Sequence, residues 1–508
     1  MRDIASEVTI DSGTVRGQRY RDVSLWRSIP YAAAPVGALR FRAPQPVAPW
    51  TGVRDATQFG NAAHSHLFSS PLGLVKRQMQ DEDCLTLNVC APAGGGPPRP
   101  VLVFIHGGGF FEGSSALPVH NPEPLVHRFG VVLVTINYRL GGLGFVDFSQ
   151  YSPDFHSNVG LRDQLSALQW VRRNIAAFGG DPDCVTVWGQ SAGASAVLTH
   201  LAVPSAKGLF HRAIAQSPVP DAVRTPDQAA ETARRVIEAL GIDSDDAAAA
   251  LRKAPAKAIT GAAIRVMLRT GREVPCQMSL APVIDGDLLP QDPTAAISAG
   301  RAHRVPLLIG TMRNEMGHAG WGPIRQFVDL FPTTPQRVDR MFSATDPNAK
   351  PAVLQYYPDY PRSSALTRLA TDCFFVRPMI AAAEAHARHA PTYLYRLDYA
   401  PPLLRWIGMG AIHATDVPLV FGFGMQTVQP LAIGGRAEYR AMSDWVQRRW
   451  VEFARTGTPG WPVYADDEVA VVIDRPEPHV VNGLYSATWE AWRHYAGPQR
   501  GAKPTAAQ

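Results

Sequence analysis

Val185-Thr-Val-Trp-Gly-Gln-Ser-Ala-Gly-Ala194 joins a short apolar, β-branched run to a serine held between two glycines. Val185 to Trp188 reads as a buried strand. Gly189-Gln190-Ser191-Ala192-Gly193 fits G-x-S-x-G, and Ala194 to Leu201 is built from helix-compatible residues. A strand that turns straight into a helix around a serine is a nucleophile elbow. The two glycines remove side chains where strand and helix nearly collide, and the hydroxyl projects from the tight turn.

The surrounding chain repeats that rhythm. Val101-Leu-Val-Phe-Ile105 is a fully apolar strand leading into His106-Gly-Gly-Gly-Phe110, and Val131 to Asn137 is another buried strand. Between Gly160 and Ala177, Leu161, Leu165, Leu168, Trp170, Val171 and Ile175 recur at helical spacing, and Phe178-Gly-Gly-Asp-Pro182 stops that helix. Further strands are expected near 213–216, 305–309 and 392–397, and an amphipathic helix over 441–456. Strand, helix and strand in this order imply right-handed parallel crossovers and an α/β sheet. The expected unit runs over residues 1–497, with helical excursions near 225–270 and 321–390 and a frayed tail over 498–508.

Composition sets limits. The 508 residues are 46% hydrophobic and 18% charged, as in ordinary globular chains, and the formal net charge is only +5. No Lys/Arg block of the kind that holds nucleic acid or an anionic membrane is present. No apolar run reaches the roughly 18 residues of a membrane helix, and the charged start Met1-Arg-Asp-Ile-Ala-Ser-Glu7 lacks a signal-peptide core. The five cysteines form no C-x-x-C pair and have no zinc spacing, so reduced thiols in a cytoplasm are expected.

A serine nucleophile needs a base, a group that orients the base, and donors for the developing oxyanion. In this arrangement the partners follow in the order Ser, acid, His, each on a loop after a later strand. The chain offers Ser191, then Glu315, then His413. His106 reads as a loop-shaping residue, Asp285 as a hairpin-turn residue, and His386 and His389 as a solvated helix face. The three glycines after His106 let backbone N–H groups approach a substrate oxygen, and no Gly-Lys-Ser/Thr ending supports a phosphate loop. Gly108, Gly109 and Ala192 are the expected oxyanion donors. No cofactor and no metal is expected.

These residues carry a resemblance to the type-B carboxylesterases, which include cholinesterases and bacterial p-nitrobenzyl esterases. It extends from about residue 8 to 495 and rests on Pro35-Val-Gly-Ala-Leu-Arg-Phe41, Glu82-Asp-Cys-Leu-Thr-Leu-Asn-Val89, His106-Gly-Gly-Gly-Phe110, Asn137-Tyr-Arg139, Asn158-Val-Gly-Leu-Arg-Asp-Gln164 and the elbow. The resemblance implies an α/β-hydrolase fold, a mostly parallel central sheet with helices on both faces. It implies a cofactor-independent Ser191–His413–Glu315 esterase acting on a small-molecule ester through an acyl-enzyme. It also implies buried ion pairs Arg40–Glu82 and Arg139–Asp163. Two departures stand out. Cys84 has no upstream cysteine to pair with, and Gln190 stands where cholinesterases carry Glu, which argues against choline esters. Two alternatives stay open: a non-catalytic interaction protein on the same fold, resembling neuroligins, and an amidase or acyltransferase with the same triad. Phe110 and Phe111, together with Phe374, Phe375, Trp406 and Phe421, are candidates for an apolar pocket or for plain core packing. Oligomeric state and natural substrate are not legible.

Overall fold

The computed structural model describes residues 5–65, 78–317, 330–422, 432–465, 467–475, 477–495 and 497. The expected tail over 498–508 and part of the 321–390 excursion lie outside them.

Among the described residues thirteen strands share one sheet: β1 (Ala5–Ile10), β2 (Gly13–Tyr20), β3 (Val23–Pro30), β4 (Val53–Asp55), β5 (Thr86–Pro92), β6 (Arg99–Ile105), β7 (Val132–Ile136), β8 (Gly180–Gln190), β9 (Arg212–Gln216), β10 (Leu307–Met312), β11 (Thr392–Leu397), β12 (Ala470–Ile473) and β13 (His479–Val481). Their spatial order is 1-2-3-5-7-6-8-9-10-11-12-13, with β4 beside β2. From β7 to β12 every neighbouring pair is parallel, and antiparallel strands flank that block on both sides.

Alternation explains why the centres of the parallel strands are mostly apolar. Val101, Val103 and Ile105 of β6 enter one core, while Leu102 and Phe104 enter the other. The same split separates Val185 and Val187 from Trp188, and Ala213 and Ala215 from Ile214. Both faces are therefore covered, and a strand covered on both faces has no use for polar side chains. One core is closed by the Val159–Asn174, Ala192–Leu201 and Ala256–Glu273 helices, the other by the Arg436–Thr456 helix.

The expected boundaries shift in physically simple ways. The elbow strand runs from Gly180 to Gln190, longer than its apolar centre, because pairing with β6 and β9 continues through polar residues. The helix after Gly160 ends at Asn174 and tightens into a 3₁₀ turn over Ile175–Phe178, which Gly179 closes at φ 78°. Asp285 sits in a turn, but that turn is no hairpin: Val283 makes only an isolated parallel bridge to Arg224. The Asp285 carboxylate instead accepts from Ser157 Oγ and Asn158 Nδ2, tying this turn to the start of the Val159–Asn174 helix.

Candidate active site

Crowding at the elbow accounts for both of its glycines. A Cβ on Gly189 would lie 2.3 Å from the Gly193 carbonyl carbon, and one on Gly193 would lie 2.0 Å from the Ile105 carbonyl oxygen. Strand and helix cross here at backbone contact. Ser191 sits between them at φ 57°, ψ −124°, a conformation that costs a non-glycine residue about 1–3 kcal/mol. The surroundings fix it there. Ser191 N donates to Gln216 O of β9 at 2.8 Å, and Ser191 O accepts from Ser195 N at 2.9 Å and from Ser195 Oγ at 3.1 Å. Val219 N in turn donates to Ser195 Oγ at 2.9 Å. Ser191 is half-buried, and its hydroxyl makes no hydrogen bond among the described residues.

The glycine run after β6 lies directly against this turn. A Cβ on Gly107 would come 3.0 Å from Ser191 Cβ and 2.6 Å from Gln190 Oε1. Gly108 and Gly109 take φ values of 112° and 60°, and a Cβ on Gly108 would strike the Glu112 carbonyl oxygen at 2.1 Å. Among the described residues neither of their N–H groups has an acceptor. Ala192 opens the Ala192–Leu201 helix, so its N–H is one of the donors a helix start leaves free. His106 holds this loop from below: buried, it stacks on Tyr138 with ring centroids 4.5 Å apart, and its Nδ1 lies 2.8 Å from Gly107 O. Burial holds its imidazole down to about 4, so it stays neutral.

Glu315 and His413 meet although 98 residues separate them. Glu315 follows β10 and is fully buried. Its Oε1 accepts from Met312 N at 2.8 Å and its Oε2 lies 2.6 Å from His413 Nδ1. A carboxylate only accepts, so Nδ1 carries the proton and Nε2 presents a lone pair. That lone pair faces the elbow, where the Gln190 amide Nε2 donates to it at 3.2 Å. The Phe375 ring covers the imidazole at a centroid distance of 4.8 Å.

Behind this pair lies a second buried carboxyl. Asp416 Oδ2 accepts from Gln216 Nε2 at 2.5 Å, and Gln216 Oε1 accepts from Trp188 Nε1, while Asp416 Oδ1 has no partner among the described residues. Burial, with the Glu315 charge second, pushes its carboxyl up to about 6.

Ser191, Glu315, His413, Gly108, Gly109 and Ala192 thus converge on one region of the fold. Sequence reasoning missed Gly107, Ser195 and Gln216, and the contact of Gln190 with the imidazole. A serine four residues after the nucleophile was a faint signal for Ser195. Gln216 gave none, since only strand pairing brings it to Ser191. His386 corrects an expectation: it is buried, not solvated, with Nδ1 2.9 Å from Thr392 Oγ1 and its imidazole held down to about 4 by burial. Phe110 and Phe421 are core residues, packed on Phe145 and on Trp188, whereas Trp406 is 65% exposed.

The model of the carboxylesterase family matches residues 4–492. The chain belongs to the carboxylesterase family. It is 36% identical to the para-nitrobenzyl esterase of Bacillus subtilis over 91% of this chain and 93% of that one. An acetylcholinesterase of Bungarus fasciatus is 30% identical over 96% of this chain and 86% of its own length. Among solved structures, a PNB esterase superposes with a TM-score of 0.86 at 34% identity, covering 96% of this chain and 99% of that chain. The carboxylesterase of Geobacillus stearothermophilus gives 0.82 at 33% identity, covering 96% and 99%.

This carboxylesterase has the α/β-hydrolase fold and is a carboxylic ester hydrolase, which sets aside the non-catalytic reading. Both ion pairs implied by the resemblance are present. Arg139 grips the fully buried Asp163 through Nε at 2.8 Å and through the terminal nitrogen at 2.7 Å, and Arg40 Nε meets Glu82 at 2.7 Å. All five cysteines are free thiols. Among the described residues no helix is long and apolar enough to cross a membrane, and no group of three or more His, Cys, Asp or Glu is placed to hold a metal ion.

Proposed function

We propose that the esterase works through a Ser191–His413–Glu315 triad and a covalent acyl-enzyme. The observation that carries this reading is the buried Glu315 carboxylate on His413 Nδ1, which turns the Nε2 lone pair toward the elbow. Ser191 Oγ attacks the ester carbonyl as His413 Nε2 takes its proton, once the Gln190 amide has yielded that lone pair. The N–H groups of Gly108, Gly109 and Ala192 receive the oxyanion, each worth about 3–4 kcal/mol in comparable sites. The imidazolium then protonates the leaving alkoxide. Water, deprotonated by the same imidazole, releases the acid.

The substrate is a small, neutral carboxylic ester. The sheet and its helical excursions form one domain over 1–497. Five unpaired thiols fit a cytoplasmic setting. The test is pre-steady-state hydrolysis of a p-nitrophenyl ester. A burst of one p-nitrophenolate per chain, absent in Ser191→Ala, supports the acyl-enzyme; turnover retained in that variant refutes it. Matched ester and amide substrates separate the esterase from an amidase.

A further inference from the structure

Two thiols that are 97 residues apart in sequence meet beside this site. Cys276 Sγ lies 3.6 Å from Cys373 Sγ, and the Met341 sulfur lies 3.4 Å from Cys373 Sγ. Cys276 is half-buried and follows the Ala256–Glu273 helix on a loop, at φ 70°; its N–H donates to Leu330 O at 2.8 Å. Cys373 is buried in the wide π-type turn Asp372–Val376, which joins two helices, Ser363–Thr371 and Arg377–Ala387. A disulfide needs its sulfurs about 2.05 Å apart, so closure asks for roughly 1.5 Å of approach. A loop and a π turn, rather than two rigid α-helices, have to supply that movement.

This turn and the helix end before it reach the triad from two sides. Phe375 packs on the His413 imidazole, and Thr371 Oγ1 accepts from the N–H of Met316, the residue after Glu315, at 3.2 Å. Phe374 packs on Phe375 and on Phe331, each at 5.0 Å, and Phe331 follows the Leu330 that holds Cys276. Both ends of the sulfur contact are thus linked to the ring that covers the imidazole.

We propose that Cys276 and Cys373 are a modification site at which a hydroperoxide forms an intramolecular disulfide that lowers turnover. Cys276, the less buried of the two residues, is the thiol that meets the peroxide first. As a thiolate it attacks one peroxide oxygen, the O–O bond breaks, and the departing oxygen leaves as an alcohol, or as water when the oxidant is hydrogen peroxide. Cys373 sulfur then attacks the resulting sulfenic acid, the S–O bond breaks, and water leaves as the S–S bond forms. In sum, two thiols and one hydroperoxide give one disulfide, one alcohol and one water. Burial and the neighbouring Cys373 push the Cys276 thiol up, against the opposing pull of the Arg377 charge, so the thiolate is scarce and oxidation quickens as pH rises.

The experiment treats the full chain with hydrogen peroxide, removes the oxidant, and follows non-reducing peptide mass spectrometry together with p-nitrophenyl ester turnover. The expected result is a Cys276–Cys373 cross-linked peptide and a fall of up to about a hundredfold in kcat, as a displacement of about 1 Å near the base can cause, both reversed by dithiothreitol. Cys276→Ser and Cys373→Ser should keep their activity through the same treatment; if Cys373→Ser does not fold, Cys276→Ser alone carries the comparison. No cross-link in a still-folded chain overturns the site, and a cross-link that leaves kcat unchanged overturns its link to His413. That link rests on His413 being the base. Activity retained in His413→Ala would refute that reading while leaving the cross-link result intact.

Discussion

Replacing Glu315 with glutamine exchanges one carboxylate oxygen for an NH₂ at constant shape, and the structure dictates which one. Oε1 faces the Met312 N–H at 2.8 Å and Oε2 faces His413 Nδ1 at 2.6 Å, both in a fully buried setting. A backbone N–H cannot become an acceptor, so the amide oxygen stays on Met312 and the NH₂ turns to the imidazole. An NH₂ donor requires a lone pair on Nδ1, which moves the imidazole proton to Nε2. The nitrogen that faces the elbow then has nothing with which to receive the Ser191 proton. Restoring the productive tautomer sets two donors against each other in a buried site, at about 3–5 kcal/mol once the lost hydrogen bond and the lost charge beside the imidazolium are included. At about 1.36 kcal/mol per decade this is a loss of about 10²–10⁴ in kcat, with KM little changed. The assay is kcat and KM for p-nitrophenyl acetate, with thermal unfolding as the control for folding. A correctly folded Glu315→Gln enzyme that loses less than about tenfold would refute the tautomer argument.

Two further predictions follow from the same contacts. Gly193→Ala places a methyl group 2.0 Å from the Ile105 carbonyl oxygen, so the helix must lift away from β6 and carry the elbow with it. The expected destabilisation is about 2–4 kcal/mol, with activity lost beyond it; denaturant unfolding with near-native stability would contradict the crossing geometry. Asp416 titrates at about 6 when folded, above the ordinary value of 3.8 for its carboxyl, so folding favours its protonated form. Its contribution to stability is complete below about pH 4 and is lost as pH rises through about 6. An amide in its place does not titrate, so Asp416→Asn should gain on the parent by up to about 3 kcal/mol across that window. Thermal unfolding at a series of pH values measures the difference, and a difference that does not change with pH counts against a buried, ionising Asp416.

What the chain revealed of itself followed from where its information is local. The parallel strands were legible because burial on both faces leaves an unbroken apolar run, as in Val101 to Ile105. The elbow was legible because two backbones in contact tolerate only glycine at 189 and 193. Glu315 and His413 could be ordered along the chain, yet their contact depends on how β10 and β11 pair, which no local pattern encodes. The same holds for Gln216, whose backbone reaches Ser191 through the β8–β9 register and whose side chain reaches Asp416. His386 departs from expectation because its helix pattern, Glu384-Ala-His-Ala-Arg-His389, is polar in composition; burial is decided by the packing of the Arg377–Ala387 helix, where Thr392 supplies a partner.

The central claim is that Ser191 is the nucleophile. Treating the esterase with an organophosphate and locating the adduct by peptide mass spectrometry tests it most directly. One adduct per chain on Ser191, and none in Ser191→Ala, is the predicted result. Stoichiometric labelling that persists in Ser191→Ala, or that falls on another residue, would contradict it.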